Sequence, residues 1–403
     1  MSGTYDAIVV GARCGGAPTA MLLARRGHRV LLLDKASFPS DTLSTHLIHA
    51  AGTAALARWG LLDAVAASGA PAIATYTLDY GPFQVSAAPR PTPDGIDLAY
   101  APRRTVLDEL LVSAAVDAGV EVRTGVTVEG VLADRGAVVG VHGRDASGRE
   151  LRELSRVVVG ADGRRSHVAD WVGAEAYATQ PTFAASYFAY WRDVPTDGLE
   201  VFIRPQRSFA AFPTNDDLTV IVMSWPRAEF AANRVDIEGN YLRSIDLAPD
   251  FAARVAKGRR ATRFYGTGEA PGFYRRAFGP GWALVGDARH HKDPVTGKGI
   301  SEAFLDAEAL ADALHDVWSD GAGYDERLGH YQHKRDAETM AMYDFTCQLA
   351  RLEPPPAEMA QLLAAVSESP EAGRDFVSVL AGTADLGDFM HPDNVGRIVG
   401  RAA

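Results

Sequence analysis

Residues 286–300, reading Gly-Asp-Ala-Arg-His-His-Lys-Asp-Pro-Val-Thr-Gly-Lys-Gly-Ile, constrain this chain more than any other stretch. They follow an apolar run at 282–285 and precede a segment in which Ile300, Ala303, Phe304, Ala307, Leu310, Ala311 and Leu314 recur at i, i+3, i+4 and i+7. The order is strand, carboxylate, glycine loop, helix. It puts Asp287 at a strand's end, where it can accept hydrogen bonds from a sugar or ribityl chain. Pro294, Gly297 and Gly299 shape a loop of bare backbone against which a flat ring can lie. A helix starting near Gly299, with Lys298 and Ile300 in the same turn, would present unpaired N–H groups and a partial positive charge to whatever rests there. The plain alternative is that Asp287 caps a helix and the glycines only turn the chain.

Two further segments have the same build. At the N-terminus an apolar strand at 7–10 runs into Gly11, Arg13 and Gly16, which occupy the three glycine positions of a G-x-G-x-x-G turn. A helix at 17–26 follows, and a second strand at 29–33 ends in Asp34, eighteen residues beyond Gly16. This is a βαβ unit whose helix N-terminus takes a pyrophosphate and whose acid takes a ribose. Arg13 departs from it, because the middle glycine normally lets phosphate approach the main chain; a guanidinium could instead meet the phosphate or swing clear of it. Cys14 in the same turn reads as a small packed side chain. The third segment, 157–166, is again an apolar strand, delivering Asp162 and Gly163.

Taken in this order, 11–16, 160–163 and 286–299 resemble the dinucleotide fingerprint, the DG motif and the GD motif of the class A flavoprotein monooxygenases. This is the para-hydroxybenzoate hydroxylase-like group, whose wider superfamily includes flavin-dependent halogenases and geranylgeranyl reductases. The resemblance spans residue 11 to about residue 315. It implies bound FAD, with adenosine ribose at Asp34 and the adjoining Lys35, pyrophosphate at 11–16, and the ribityl chain at Asp287. Arg104, with Arg103 as the adjacent alternative, matches a family arginine that reaches the cofactor. Asp162 matches an aspartate that helps arrange FAD and the nicotinamide cofactor, and His290 falls where the GD segment usually carries histidine. A reduced flavin carries negative charge at its N1 and C2 carbonyl edge, which the helix end at Gly299 would stabilise.

The 403 residues exceed one ordinary domain of roughly 100–200 residues. Hydrophobic content of 47% with 39 glycines suits a packed α/β protein with many turns. The resulting fold class is α/β, a Rossmann-like FAD-binding domain (1–75, 101–178 and 265–335) interleaved with a smaller, mainly antiparallel β-sheet substrate domain (76–100 and 179–264). A C-terminal helical segment covers 336–403. With 51 acids against 40 bases the net charge is -11, which speaks against nucleic acid and anionic membranes as partners. Cys14 and Cys347 are the only cysteines, so no disulfide framework is expected and a cytoplasmic location fits. No run approaches the roughly 18 apolar residues of a membrane span, and no signal peptide or metal motif is read. A homodimer is left open.

In the second sheet, Tyr187, Tyr190, Trp191, Phe202, Phe209, Phe212 and Trp225 are expected to supply aromatic surface over a planar substrate, most of them as core. His46 is a candidate for the flavin's edge, as a hydrogen-bond donor or proton shuttle. Lys298 sits over the flavin or points to water. The family mechanism implies that NADPH or NADH reduces FAD, that dioxygen (O2) then gives a flavin C4a-hydroperoxide, and that one oxygen passes to an aromatic or other electron-rich small molecule. Halogenases carry W-x-W-x-I-P and geranylgeranyl reductases Y-x-W-x-F-P; here 208–213 reads Ser-Phe-Ala-Ala-Phe-Pro and lacks both leading aromatics. A halogenase also needs a relay lysine, and residues 44–47 read Ser-Thr-His-Leu. The alternatives are an isoprenoid reductase, a halogenase and a non-catalytic dinucleotide-binding sensor.

Overall fold

Five segments, distant in sequence, pair side by side in parallel. The strand Tyr5–Val10 lies between Glu150–Gly160 and Val30–Asp34, with Trp282–Leu284 beyond the first and Glu121–Thr124 beyond the second. The computed structural model describes residues 4–321 and 323–402. Register aligns the carboxyl ends: Val10 is level with both Leu33 and Gly160, and Gly160 with Leu284. Gly11, Asp34, Asp162 and Asp287 therefore emerge along one edge, the edge at which open α/β sheets bind ligands.

The strands Tyr5–Val10, Val30–Asp34 and Trp282–Leu284 are buried on both faces, which explains why they read as continuous apolar runs. Ala7 and Val9 pack with Ala17, Ala20 and Met21 of the helix Gly16–Arg25 and with Phe304, Ala307 and Leu310 of the helix Gly299–Ser319. Ile8 and Val10 face Val126 and, from the antiparallel ribbon of Thr127–Asp134 and Ala137–Arg144 that follows it, Val138 and Val141.

The second sheet is largely antiparallel, with the order Arg259–Arg260, Ala184–Arg192, Leu218–Pro226, Arg207–Thr214, Leu199–Arg204, Tyr76–Asp79, Gln84–Ala87, and Tyr265–Thr267 also pairing with Ala184–Arg192. Between 179 and 264 the sequence pattern suggests mainly strands, yet a short helix, Phe230–Asn233, and two longer ones, Ile237–Ile245 and Pro249–Val255, lie there. Tyr241, Ile245, Phe251 and Val255 project from the two longer helices onto Phe202, Phe209 and Trp225 and cover the sheet's outer face. On the inner face Tyr190, Phe212 and Val220 pack against Leu362, Val366, Phe376 and Val377 of the C-terminal helices. Among the described residues, no helix is long and apolar enough to cross a membrane.

Candidate functional site

One cavity of about 650 Å³ runs along the carboxyl edge of the parallel sheet and under the inner face of the second sheet. Its wall includes Gly11, Asp34, Lys35, Arg104, Asp162, Gly163, Asp287, Pro294, Gly297, Gly299 and Ile300. At one end, Asp34 Oδ2 accepts from the amide of Ala12 (2.7 Å) and Oδ1 from that of Ala36 (2.8 Å), leaving each oxygen a lone pair for a ribose. In the turn between, Gly11 has φ +104°, and a Cβ on it would meet the carbonyl oxygen of Ala161 at 2.4 Å. A Cβ on Gly16 would meet the oxygen of Gly11 at 1.7 Å, so only glycine lets helix and strand approach this closely.

At the other end, the Asp287 side chain makes no hydrogen bond among the described residues and borders the cavity. A Cβ on Gly299 would find only Asp287 Oδ1, at 4.0 Å. The helix Gly299–Ser319 begins there with no side chain capping its first turn, so its N–H groups stay open. An extended FAD fits these features: the space between Asp34 and Asp287 is continuous, an acid with spare acceptors stands at each end, and bare glycine backbone lines the path between.

The sequence reading missed Asp108, the fully buried carboxylate on which this wall depends. It receives the Arg104 guanidinium (Nε to Oδ1, 2.9 Å), the guanidinium of Arg13 and the thiol of Cys14 (3.6 Å). Arg13 is further tied to Ser40 Oγ (2.9 Å), so its guanidinium is held against the loop at the cavity wall. Cys14 is packed, and burial pushes its thiol up to about 12. Between the two candidate arginines the geometry separates roles. Arg104 borders the cavity, whereas Arg103 bonds Asn215 through its amide and pairs with Asp216. Asp162 accepts from Ser166 Oγ and from the amide of Val168 (3.1 Å), which fixes the turn after its strand.

Two expectations need correction. His46 borders the cavity at φ +50°, but neither ring nitrogen is free: Nδ1 donates to the carbonyl of Ala101 (3.0 Å), which makes Nε2 the acceptor for Tyr190 Oη (2.9 Å). Burial lowers its pKa to about 3, so the ring is held neutral between Ala101 and Tyr190. Lys298 turns away from the cavity, and its buried ammonium donates to the carbonyl of Val379 (3.0 Å). Sequence could not show this, because the Val379 carbonyl comes from a C-terminal helix. Burial lowers Lys298 to about 8. With the folded pKa below the unfolded one, the unfolded chain binds more protons between pH 8 and pH 10, and stability rises with pH there. Lys298→Met is expected to raise stability at pH 7 by roughly 1–2 kcal/mol and to flatten that rise. Urea denaturation at pH 7 and pH 10 measures both effects.

His290 is buried, stacked on Tyr274 at 4.3 Å between ring centroids, and kept neutral by burial and by Lys292. On the second sheet, the aromatic wall expected over the substrate is not there. Of the seven aromatics only Phe209 borders the cavity; Tyr187, Trp191, Phe202, Phe209 and Trp225 all belong to the outer-face cluster. The residues of opposite phase form the wall: Ser186, Phe188, Val201, Ser208, Ala210, Val222 and Ser224.

Comparison with known proteins agrees with this geometry. The FAD binding domain family matches residues 4–346. Rifampicin monooxygenase of Streptomyces venezuelae is 28% identical over 393 residues, covering 92% of this chain and 77% of that protein. Digeranylgeranylglycerophospholipid reductase of Methanosarcina acetivorans is 25% identical over 349 residues, covering 84% of this chain and 82% of that one. The fold is shared with the myxobacterial chondrochloren halogenase CndH, an FAD-dependent halogenase, at a TM-score of 0.78 and 24% identity over 99% of this chain and 96% of that one.

Proposed function

The chain belongs to the FAD binding domain family and is an FAD-dependent oxidoreductase, and from that premise we propose that it is a monooxygenase. It would use NADPH or NADH and O2 to insert one oxygen atom into an aromatic or other electron-rich small molecule. The observation that carries this reading is the single cavity joining Asp34, Asp287 and the inner face of the second sheet, which gives a cofactor and a flat substrate one shared space. Hydride acceptance and reaction with dioxygen are the chemistry that bound FAD supplies.

The residues would divide the remaining work. Asp34 and Lys35 hold the adenosine end, the glycine turn and its helix face the pyrophosphate, and Arg104, fixed by Asp108, stands beside it. Asp287 takes the polyol chain, while Pro294, Gly297 and Gly299 let a flat ring lie on backbone under the open helix end. Asp162 and Gly163 keep the neighbouring strand end in place. The second sheet would keep water out of the chamber; a wet chamber would leak reducing power to hydrogen peroxide.

Likeness to the digeranylgeranylglycerophospholipid reductase supports a second reading, saturation of an isoprenoid double bond. The halogenase reading finds no lysine at 44–47, and Lys292, at the cavity, is bound to Glu302. The test is to purify the protein, confirm flavin absorbance, and add NADPH or NADH with candidate aromatic compounds in air and without oxygen. Bleaching by the nicotinamide alone, followed by oxygen-dependent product, is the expected result. Turnover without oxygen would favour the reductase. Bleaching only with a separate reductase would make this a two-component enzyme. A colourless protein that takes up no flavin would leave the sensor alternative standing.

A further inference from the structure

Four hydroxyl residues lie abreast on the cavity face of the second sheet. Ser186 is level with Thr267 on one side and Ser224 on the other, and Ser224 is level with Ser208. Residues directly opposite in antiparallel strands share a face, and all four border the cavity. Three strand spacings of about 4.8 Å make the row roughly 14 Å long. Two residues further along the strands a second row, Phe188, Val222, Ala210 and Val201, is apolar throughout and also borders the cavity. The wall is thus striped, one line of hydroxyls beside one line of hydrocarbon.

The hydrogen-bonding capacity of the row is largely unspent. Thr267 Oγ1 is closed, since it donates to the carbonyl of Glu269 and accepts from its amide. Ser186 and Ser224 share one bond at 2.9 Å, which uses one of their two hydroxyl protons. Ser208 has no partner among the described residues, so two protons and several lone pairs face the cavity. None of the described residues that this sheet contributes to the cavity wall is charged.

We propose that this row selects the substrate: a flat, uncharged molecule bearing at least two oxygen functions, phenol or ketone, on one edge, with an apolar remainder against Phe188 and Val222. The free donors are separated by about one or two strand spacings, roughly 5–10 Å, and the shorter distance matches two oxygens on one aromatic ring. A carboxylate on this wall would lose its hydration without meeting a cation. A hydrocarbon isoprenoid chain would bury the serines without partners, at a cost for each hydroxyl. The inference rests on the reading of this cavity as the substrate chamber.

The test is isothermal titration of the oxidised, FAD-loaded protein with four probes: 1,3-dihydroxynaphthalene, naphthalene, 2-naphthoate and geranylgeraniol. The dihydroxy compound is expected to bind at least about tenfold more tightly than naphthalene, in proportion to two net hydrogen bonds. Ser208→Ala removes a hydroxyl that makes no internal bond, and should cut that preference several-fold while leaving naphthalene unaffected. Ser208→Ala combined with Ser186→Ala and Ser224→Ala removes every unspent hydroxyl of the row and should abolish it. Tighter binding of 2-naphthoate or geranylgeraniol, equal affinities in wild type and variants, or no heat from the dihydroxy probe at millimolar concentration would each overturn the proposal. Binding is read without turnover, so a negative result leaves the proposed oxygen chemistry standing. Absence of an oxygen-dependent product would in turn leave a measured preference of the row intact.

Discussion

Alanine in place of Asp306 is expected to lower the unfolding free energy by about 3–5 kcal/mol, because it strands buried positive charge. Asp306 is 1% exposed and sits where the helix Gly299–Ser319 meets the long helix Tyr324–Ala350. It accepts from Arg289 (Nε, 3.2 Å; Nη2, 3.3 Å) and from Arg335 (Nε, 2.7 Å), and both guanidiniums are themselves buried. Burial alone would push this carboxyl up, but Arg289 and Arg335 outweigh it and hold the pKa below the ordinary value. With the folded pKa depressed, the contribution is fully present above the ordinary carboxylate range and is lost as pH falls toward and below about 4. Urea denaturation at pH 7 should therefore show the full loss in the variant, and acidification should narrow the gap between it and the wild type. Asp336 on Arg289 (2.7 Å) and Glu338 on Arg335 offer partial compensation, which places the expected loss in the lower half of that range. A loss below about 1 kcal/mol would mean that the pair of arginines relaxes into water and that the network holds little.

The same residue illustrates what the sequence could and could not disclose. The cofactor half was legible because each of its markers is local: an apolar strand, a glycine turn and an acid lie within a few residues of one another, and register then lines them up at one edge. Asp108 and Asp306 were not legible, because each is defined by cations that arrive from distant parts of the chain, Arg13 for one and Arg335 for the other. Both look from the sequence like ordinary helical acids. Which residues of the second sheet face the cavity was not legible for a different reason. The strand Ala184–Arg192 is buried on both faces, so its aromatics occur on both, and the period-two alternation that would tell inside from outside is absent. Counting aromatics located the correct sheet and most of them as core, five on the outer face and Tyr190 and Phe212 on the inner one, and the pairing of Ser186 with Ser224 identifies the row that borders the cavity.

Leucine at position 299 is expected to give a folded protein that cannot keep its flavin. Most glycines at this site are poor probes, because changing them damages the fold as well as the cavity. A Cβ at residue 16 would lie 1.7 Å from the oxygen of Gly11, and one at residue 11 would strike Ala161, so alanine at either position must separate helix and strand. Gly299 differs. It is exposed, its φ is not in the left-handed region, and the one atom near a new Cβ is Asp287 Oδ1 at 4.0 Å. A leucine there begins the helix Gly299–Ser319 with a Cβ that meets no protein atom nearer than 4.0 Å, and its branched end is expected to occupy the space between the open helix terminus and Asp287. The expected result is at least about 100-fold weaker FAD binding, roughly 2.7 kcal/mol, with the apo-protein's melting temperature unchanged. Flavin absorbance after reconstitution and thermal melts of the apo-protein separate the two quantities. Full flavin content in this variant would mean that the ring lies elsewhere, and the assignment of the Asp287 end would fall with it.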